Sequence, residues 1–141
     1  MFNILLAEHP DVIERLYGRF YFDRQHEHAP GDERLAFNPI AEAARHGVDI
    51  RFSRRLLAFG YELADEDMDP TTHATISAFG EVLDRPGLGR SFTFERGQIQ
   101  FVNNRRLGHR REAYEDWPEP ERKRRLIRLW GRETGRPFYM G

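Results

Sequence analysis

After residue 90 the hydrophobic period of this chain becomes two. "SFTFE" (91–95), "QIQFVNN" (98–104) and "RLIRLW" (125–130) each set alternate side chains on opposite faces of an extended backbone. "ERGQ" joins the first two as a tight turn, with Gly97 free to take positive φ. The second half therefore reads as β-rich and antiparallel. Such a sheet has to close on itself or cover its edges, so barrel, sandwich and jelly roll are the architectures left open.

The first half reads differently. "HPDVIERLYG" predicts a short helix, with Pro10 at its first position, Asp11 and Glu14 near its positive end, and Gly18 to stop it. "RFYFDR" predicts a strand and "QHEHAPGDER" a polar loop. "FNPIAEAARHGVDIRFS" resembles a hairpin around His46-Gly47, although its Ala-Glu-Ala-Ala also tolerates helix. "SRRLLAFGYEL" predicts a short helix. The clearest helix lies in "DMDPTTHATISAFGEVLDRPG": Asp69 precedes Pro70, Ile76, Phe79, Val82 and Leu83 recur at helical spacing, and Pro86-Gly87 ends it. No repeat, low-complexity tract or linker divides residues 1–141, so a single domain is expected.

With 141 residues the chain can bury roughly two thirds of its unfolded surface. Eleven Phe, five Tyr and two Trp supply core material, and Phe92, Phe94, Phe101, Trp117 and Trp130 are expected to be mostly core. The absence of cysteine excludes disulfides, thiolate metal sites and cysteine nucleophiles. No apolar run approaches the ~20 residues of a membrane span, and the start "MFNILLAEHP" lacks the marks of a signal peptide. A cytoplasmic, non-membrane protein is the expectation. Charge is uneven: residues 101–141 hold 11 Lys/Arg against 6 Asp/Glu, and residues 1–100 hold 11 against 17. A basic C-terminal third can meet nucleic acid or hold a small anion. Acids interrupt its arginines and no DNA-binding motif or stacking signature accompanies them, so nucleic acid is not expected as a partner.

"NNRRLGHRREAY" (103–114) sets His109 among arginines directly after a strand-like run. It reads either as a metal ligand or as an ordinary histidine on a basic turn. A non-heme Fe(II) oxygenase needs two histidines and one carboxylate on one face of the metal, with open positions for co-substrate and oxygen. A dicarboxylate co-substrate also needs a cation, and arginine's planar fork suits a carboxylate. Arg124 and Arg128 are four apart, which puts them on one face of an extended segment. Spacing alone is a weak signal in a chain this rich in arginine.

"GQIQFVNNRRLGHRREAYEDWPEPERKRRLIRLW" closely resembles the C-terminal signature of the taurine dioxygenase (TauD/TfdA-like) family of Fe(II)/2-oxoglutarate-dependent oxygenases. That signature runs from a Gly turn through a strand ending in Asn-Arg, then a metal histidine, an Ala-Phe/Tyr pair, a Pro-containing loop and an Arg-x-x-x-Arg strand. "NILLAEHPDVIERLYGRFYFDRQHEHAPGDE" is similar to the family's middle segment, so the resemblance covers nearly the whole chain. It implies an α+β, mainly β fold: a partial double-stranded β-helix (jelly-roll, clavaminate synthase-like) with flanking helices. It implies Fe(II) and 2-oxoglutarate as cofactors and hydroxylation of a small molecule as the reaction. His109 is then the distal iron ligand, Arg124 the clamp on the distal carboxylate of 2-oxoglutarate, and Arg128 its neighbour, near co-substrate or substrate. Many members read His-Gly-Arg where this chain reads Gly108-His109-Arg110-Arg111; His109 is still the one histidine of the region.

The resemblance further implies that the first half of the family, with the His-x-Asp/Glu pair that completes the iron site, is absent. His9-Pro10-Asp11 has that spelling, but it falls at a predicted helix start, where Pro and Asp have a structural reason. His26 and His28 of "HEH" are expected in a hydrophilic loop, and His46 and His73 in a turn and on a helix surface. Asn103 and Asn104 are expected to satisfy backbone groups at a strand end. A lone histidine holds Fe(II) poorly, and half a jelly roll exposes edges and apolar faces. The chain is therefore expected to self-associate or to need the missing half. Two readings follow: a dioxygenase incomplete by itself, or a non-catalytic fragment acting as an anion-binding or protein-interaction module.

Overall fold

A computed structural model of the chain describes residues 1–131 except 26, 46, 105 and 130. Helices α1 (Phe2–Glu8) and α2 (Pro10–Tyr17) lead into strand β1 (Arg19–Asp23). Strands β2 (Leu35–Pro39), β3 (Ala41–Ala44) and β4 (Gly47–Ile50) follow, then helices α3 (Arg54–Ala64) and α4 (Pro70–Leu83) and a 3-10 turn at Pro120–Arg122. The order follows the expected helix, strand, loop, hairpin, helix, helix, with two differences. α1 is added; its "FNILLAE" has one buried residue, Leu5, and so gives little periodic signal. The start of the stretch expected as a hairpin, Phe37 to Pro39, belongs instead to β2 and pairs with β1.

Two small antiparallel sheets form. β1 pairs with β2, Phe20 opposite Asn38 and Phe22 opposite Ala36, and β3 pairs with β4, Ala41 opposite Ile50. The hairpin reading of 41–50 holds and the helical alternative does not. The turn position His46 lies outside the described residues. α3 covers β1, and α1 and α2 pack on α4. Leu5, Leu16, Phe20, Phe22, Ile40, Leu57, Phe79 and Val82 are buried together between these layers.

The capping follows from sequence. Asp69 Oδ1 accepts from the Thr72 backbone N–H at 2.9 Å, and its Oδ2 accepts from the Thr72 hydroxyl at 2.7 Å, with Pro70 in the first turn. These bonds hold the Asp69 carboxyl below its ordinary range, the Thr72 hydroxyl being the main cause. Arg15 ties three elements together. Its Nη2 donates to Thr72 Oγ1 at 2.9 Å, its Nη1 to the Arg19 carbonyl at 3.0 Å, and its guanidinium stacks 3.9 Å over the Phe20 ring.

The period-two segments of the second half behave otherwise. The turn at 95–98 forms, with Gly97 at φ 90° and the Gln98 N–H donating to the Glu95 carbonyl at 3.2 Å. Among the described residues, however, 91–95, 98–104 and 125–129 pair with no strand. Alternation specifies two faces, but a strand also needs a paired neighbour for its N–H and C=O groups, and among the described residues these segments form no such ladder. The expected burial of their aromatics is corrected with them. Phe92, Phe101 and Trp117 are exposed at 61%, 91% and 54%, and Phe94 is only partly covered. Without a sheet there is no second layer to cover them. Trp130 lies outside the described residues. No described helix is long and apolar enough to cross a membrane.

Candidate functional site

His109 lies on an exposed, irregular segment and has no hydrogen-bond partner among the described residues. Contacts on either side fix the segment. Arg110 Nη1 reaches Asp84 Oδ1 at 2.6 Å, and Asp84 Oδ2 accepts from Arg54 Nη1 at 2.8 Å, so two arginines share the carboxylate after α4. Ser91 Oγ donates to Glu112 Oε1 at 3.0 Å. Hydrogen bonding by Arg54, then its charge and the contacts of Arg110, hold the Asp84 carboxyl below its ordinary range. On the N-terminal side, the Asn103 carbonyl accepts from the Arg106 and Leu107 N–H groups, both at 3.0 Å, although no strand ends there.

Arg124 is set by two contacts. Its backbone N–H donates to Asp116 Oδ1 at 2.8 Å, and its guanidinium carbon stands 5.2 Å from the Tyr114 ring centroid. Arg111 lies against the same ring at 4.5 Å and donates from Nη1 to the Tyr114 hydroxyl at 3.3 Å. Arg122 stacks on Trp117 at 3.4 Å. Arg128 is exposed on the last described stretch. No described contact joins His109, Arg124 and Arg128 to one another. Tyr114 and Asp116 carry weight that the residue pattern did not reveal. The signal available for Tyr114 was its place between two basic clusters.

The other histidines lie apart from this segment of the sequence. His9 precedes Pro10 at the start of α2, with Asp11 in the first turn. His28 sits in the 24–34 loop and His73 is exposed on α4. His26 lies outside the described residues. The loop after β1 is fixed by Asp23, 1% exposed, which accepts from Arg34 Nε and Nη2, both at 2.7 Å. That bidentate pair raises the Arg34 pKa, chiefly through the hydrogen bonds.

Among the described residues no three His, Asp or Glu side chains gather closely enough to hold a metal ion. Among the described residues, then, no cluster matches the two-histidine, one-carboxylate set of a non-heme iron site.

The fold, with helices flanking small antiparallel sheets, and a basic segment carrying one histidine and an Arg-x-x-x-Arg pair, define a class of protein that comparison identifies. Residues 1–130 match the model of the taurine catabolism dioxygenase TauD, TfdA family, and the chain belongs to that family. It is 29% identical over 142 residues to FR-33289 synthase of Streptomyces rubellomurinus (strain ATCC 31215). The alignment takes in 98% of this chain and 42% of that relative, so the chain spans less than half of the relative's length.

Proposed function

We propose that this chain forms the 2-oxoglutarate-binding and distal-histidine part of an Fe(II)/2-oxoglutarate-dependent dioxygenase that hydroxylates a small molecule. The observation that carries the reading is the family match over residues 1–130, which takes in His109, Arg124 and Arg128 together. His109 is one iron ligand, and the companion histidine and carboxylate come from polypeptide outside the described residues. Arg124 receives the distal carboxylate of 2-oxoglutarate and Arg128 lies near co-substrate or substrate. The same division accounts for the unpaired segments. Ile99 and Phe101 are exposed at 79% and 91%, and Ile127 and Leu129 at 90% and 87%. Each pair is two residues apart, so each segment presents one apolar face, as strands of a double-stranded β-helix do before their partners are in place.

Calorimetric titration with 2-oxoglutarate tests the clamp. Arg124→Ala is expected to weaken binding about tenfold or more, the effect of losing a charge-assisted hydrogen-bonded pair. Equal affinity in wild type and variant would remove Arg124 from the site.

The exposed apolar faces also favour a second reading, a non-catalytic anion-binding or protein-interaction module. It places 2-oxoglutarate or another anion on the arginines without iron dependence, and self-association on the apolar faces.

A further inference from the structure

Tyr114 stands between two cations. The guanidinium carbons of Arg111 and Arg124 lie 4.5 and 5.2 Å from its ring centroid, which places them within about 10 Å of each other. Both distances fall inside the ~6 Å range in which a ring quadrupole attracts a cation. Arg111 and Arg124 are exposed, and among the described residues neither guanidinium forms an ion pair with a carboxylate. Other arginines of the chain do: Arg34, Arg54, Arg85 and Arg110 each hold a carboxylate. Asp116 is turned to the Arg124 backbone N–H, where it braces the chain without neutralising the side chain. A guanidinium held by a ring face still has N–H donors for other partners; Arg111 gives one of its own, on Nη1, to the Tyr114 hydroxyl and has others to offer. Two such guanidinium groups on one ring make a cradle for an anion with more than one negative oxygen.

We propose that Tyr114 is a positioning residue that holds the Arg124 guanidinium for carboxylate binding, and that Arg111 is a second cation of the same anion site. The proposal rests on the reading of Arg124 given above. It adds the platform that orients Arg124 and a further charge that favours a dianion over a monoanion. The ring face holds Arg124 and the hydroxyl accepts only from Arg111 Nη1, so phenylalanine keeps the platform for Arg124 and an aliphatic residue does not.

The experiment is calorimetric titration of the full chain with 2-oxoglutarate and, in parallel, with pyruvate. It compares wild type with Tyr114→Phe, Tyr114→Leu, Arg111→Gln and Arg124→Ala. Circular dichroism checks that each variant is folded. Tyr114 is 46% exposed, so its replacement leaves the core intact. Tyr114→Leu is expected to weaken 2-oxoglutarate binding about fivefold and Tyr114→Phe by less than about twofold. Arg111→Gln is expected to narrow the preference for 2-oxoglutarate over pyruvate. Tyr114→Leu binding as tightly as wild type, with Arg124→Ala weakened, would overturn the positioning role while leaving Arg124 as the clamp. An unaltered Arg124→Ala would overturn both. An unchanged preference in Arg111→Gln would remove Arg111 from the site.

Discussion

Phe79→Ala is expected to lower the unfolding free energy by about 3–5 kcal/mol, the range for emptying a fully buried aromatic position. Phe79 has no exposed surface, and its ring lies 4.4 Å from that of Phe52, across the joint between α4 and the segment after β4. Val82 is fully buried one turn later on the same helix, and Leu5 of α1 and Leu57 of α3 share the core. A cavity there lies in a close-packed core that relaxes only in part to fill it. Urea denaturation checks this as a fall in midpoint with the slope unchanged. Phe101→Ala is the internal control. At 91% exposed it removes no buried contact, and its midpoint is expected to stay at the wild-type value.

Gly60→Ala is the second large effect, by a different route. Gly60 lies in α3 where the helix crosses β1, and it is buried. A Cβ added there would fall 2.4 Å from the Tyr21 carbonyl oxygen and 2.6 Å from the Phe22 nitrogen. Both are backbone atoms of a paired strand, so no side-chain rotation relieves the contact. In an unconstrained helix this change gains stability, since alanine exceeds glycine in helix propensity by about 1 kcal/mol. Here the helix must lift off the strand that carries Phe20 and Phe22. A net loss of about 3 kcal/mol is expected, at the upper end of overpacking costs. A variant as stable as wild type in urea would mean that α3 does not sit this close to β1.

The contrast between the two halves shows what a sequence reveals about its fold. The helices α2, α3 and α4 and the 41–50 hairpin were legible because their signals are local. Asp69 and Pro70 cap α4 from adjacent positions, and Gly47, at positive φ, stands where β3 and β4 meet. The segments 91–95, 98–104 and 125–129 carry an equally clear alternation, but strand pairing is a non-local property and depends on what lies alongside. The site divides in the same way. His109, Arg124 and Arg128 are candidates through resemblance to a family alone, since one histidine and two arginines four apart are common in any basic stretch. Tyr114 as a shared ring for Arg111 and Arg124, and Asp84 as the anchor for Arg110, depend on chain reversals between residues 84 and 124. Spacing along the chain does not encode such contacts.

The central claim is that the chain carries a co-substrate clamp and one ligand of an iron site that donors elsewhere complete. The most direct measurement is an anaerobic absorbance titration of the chain with Fe(II) and 2-oxoglutarate, with His109→Ala alongside. The account predicts 2-oxoglutarate binding without a metal-to-ligand charge-transfer band from the chain alone. A band that vanishes in His109→Ala would contradict it, by showing that these residues build a full iron site themselves.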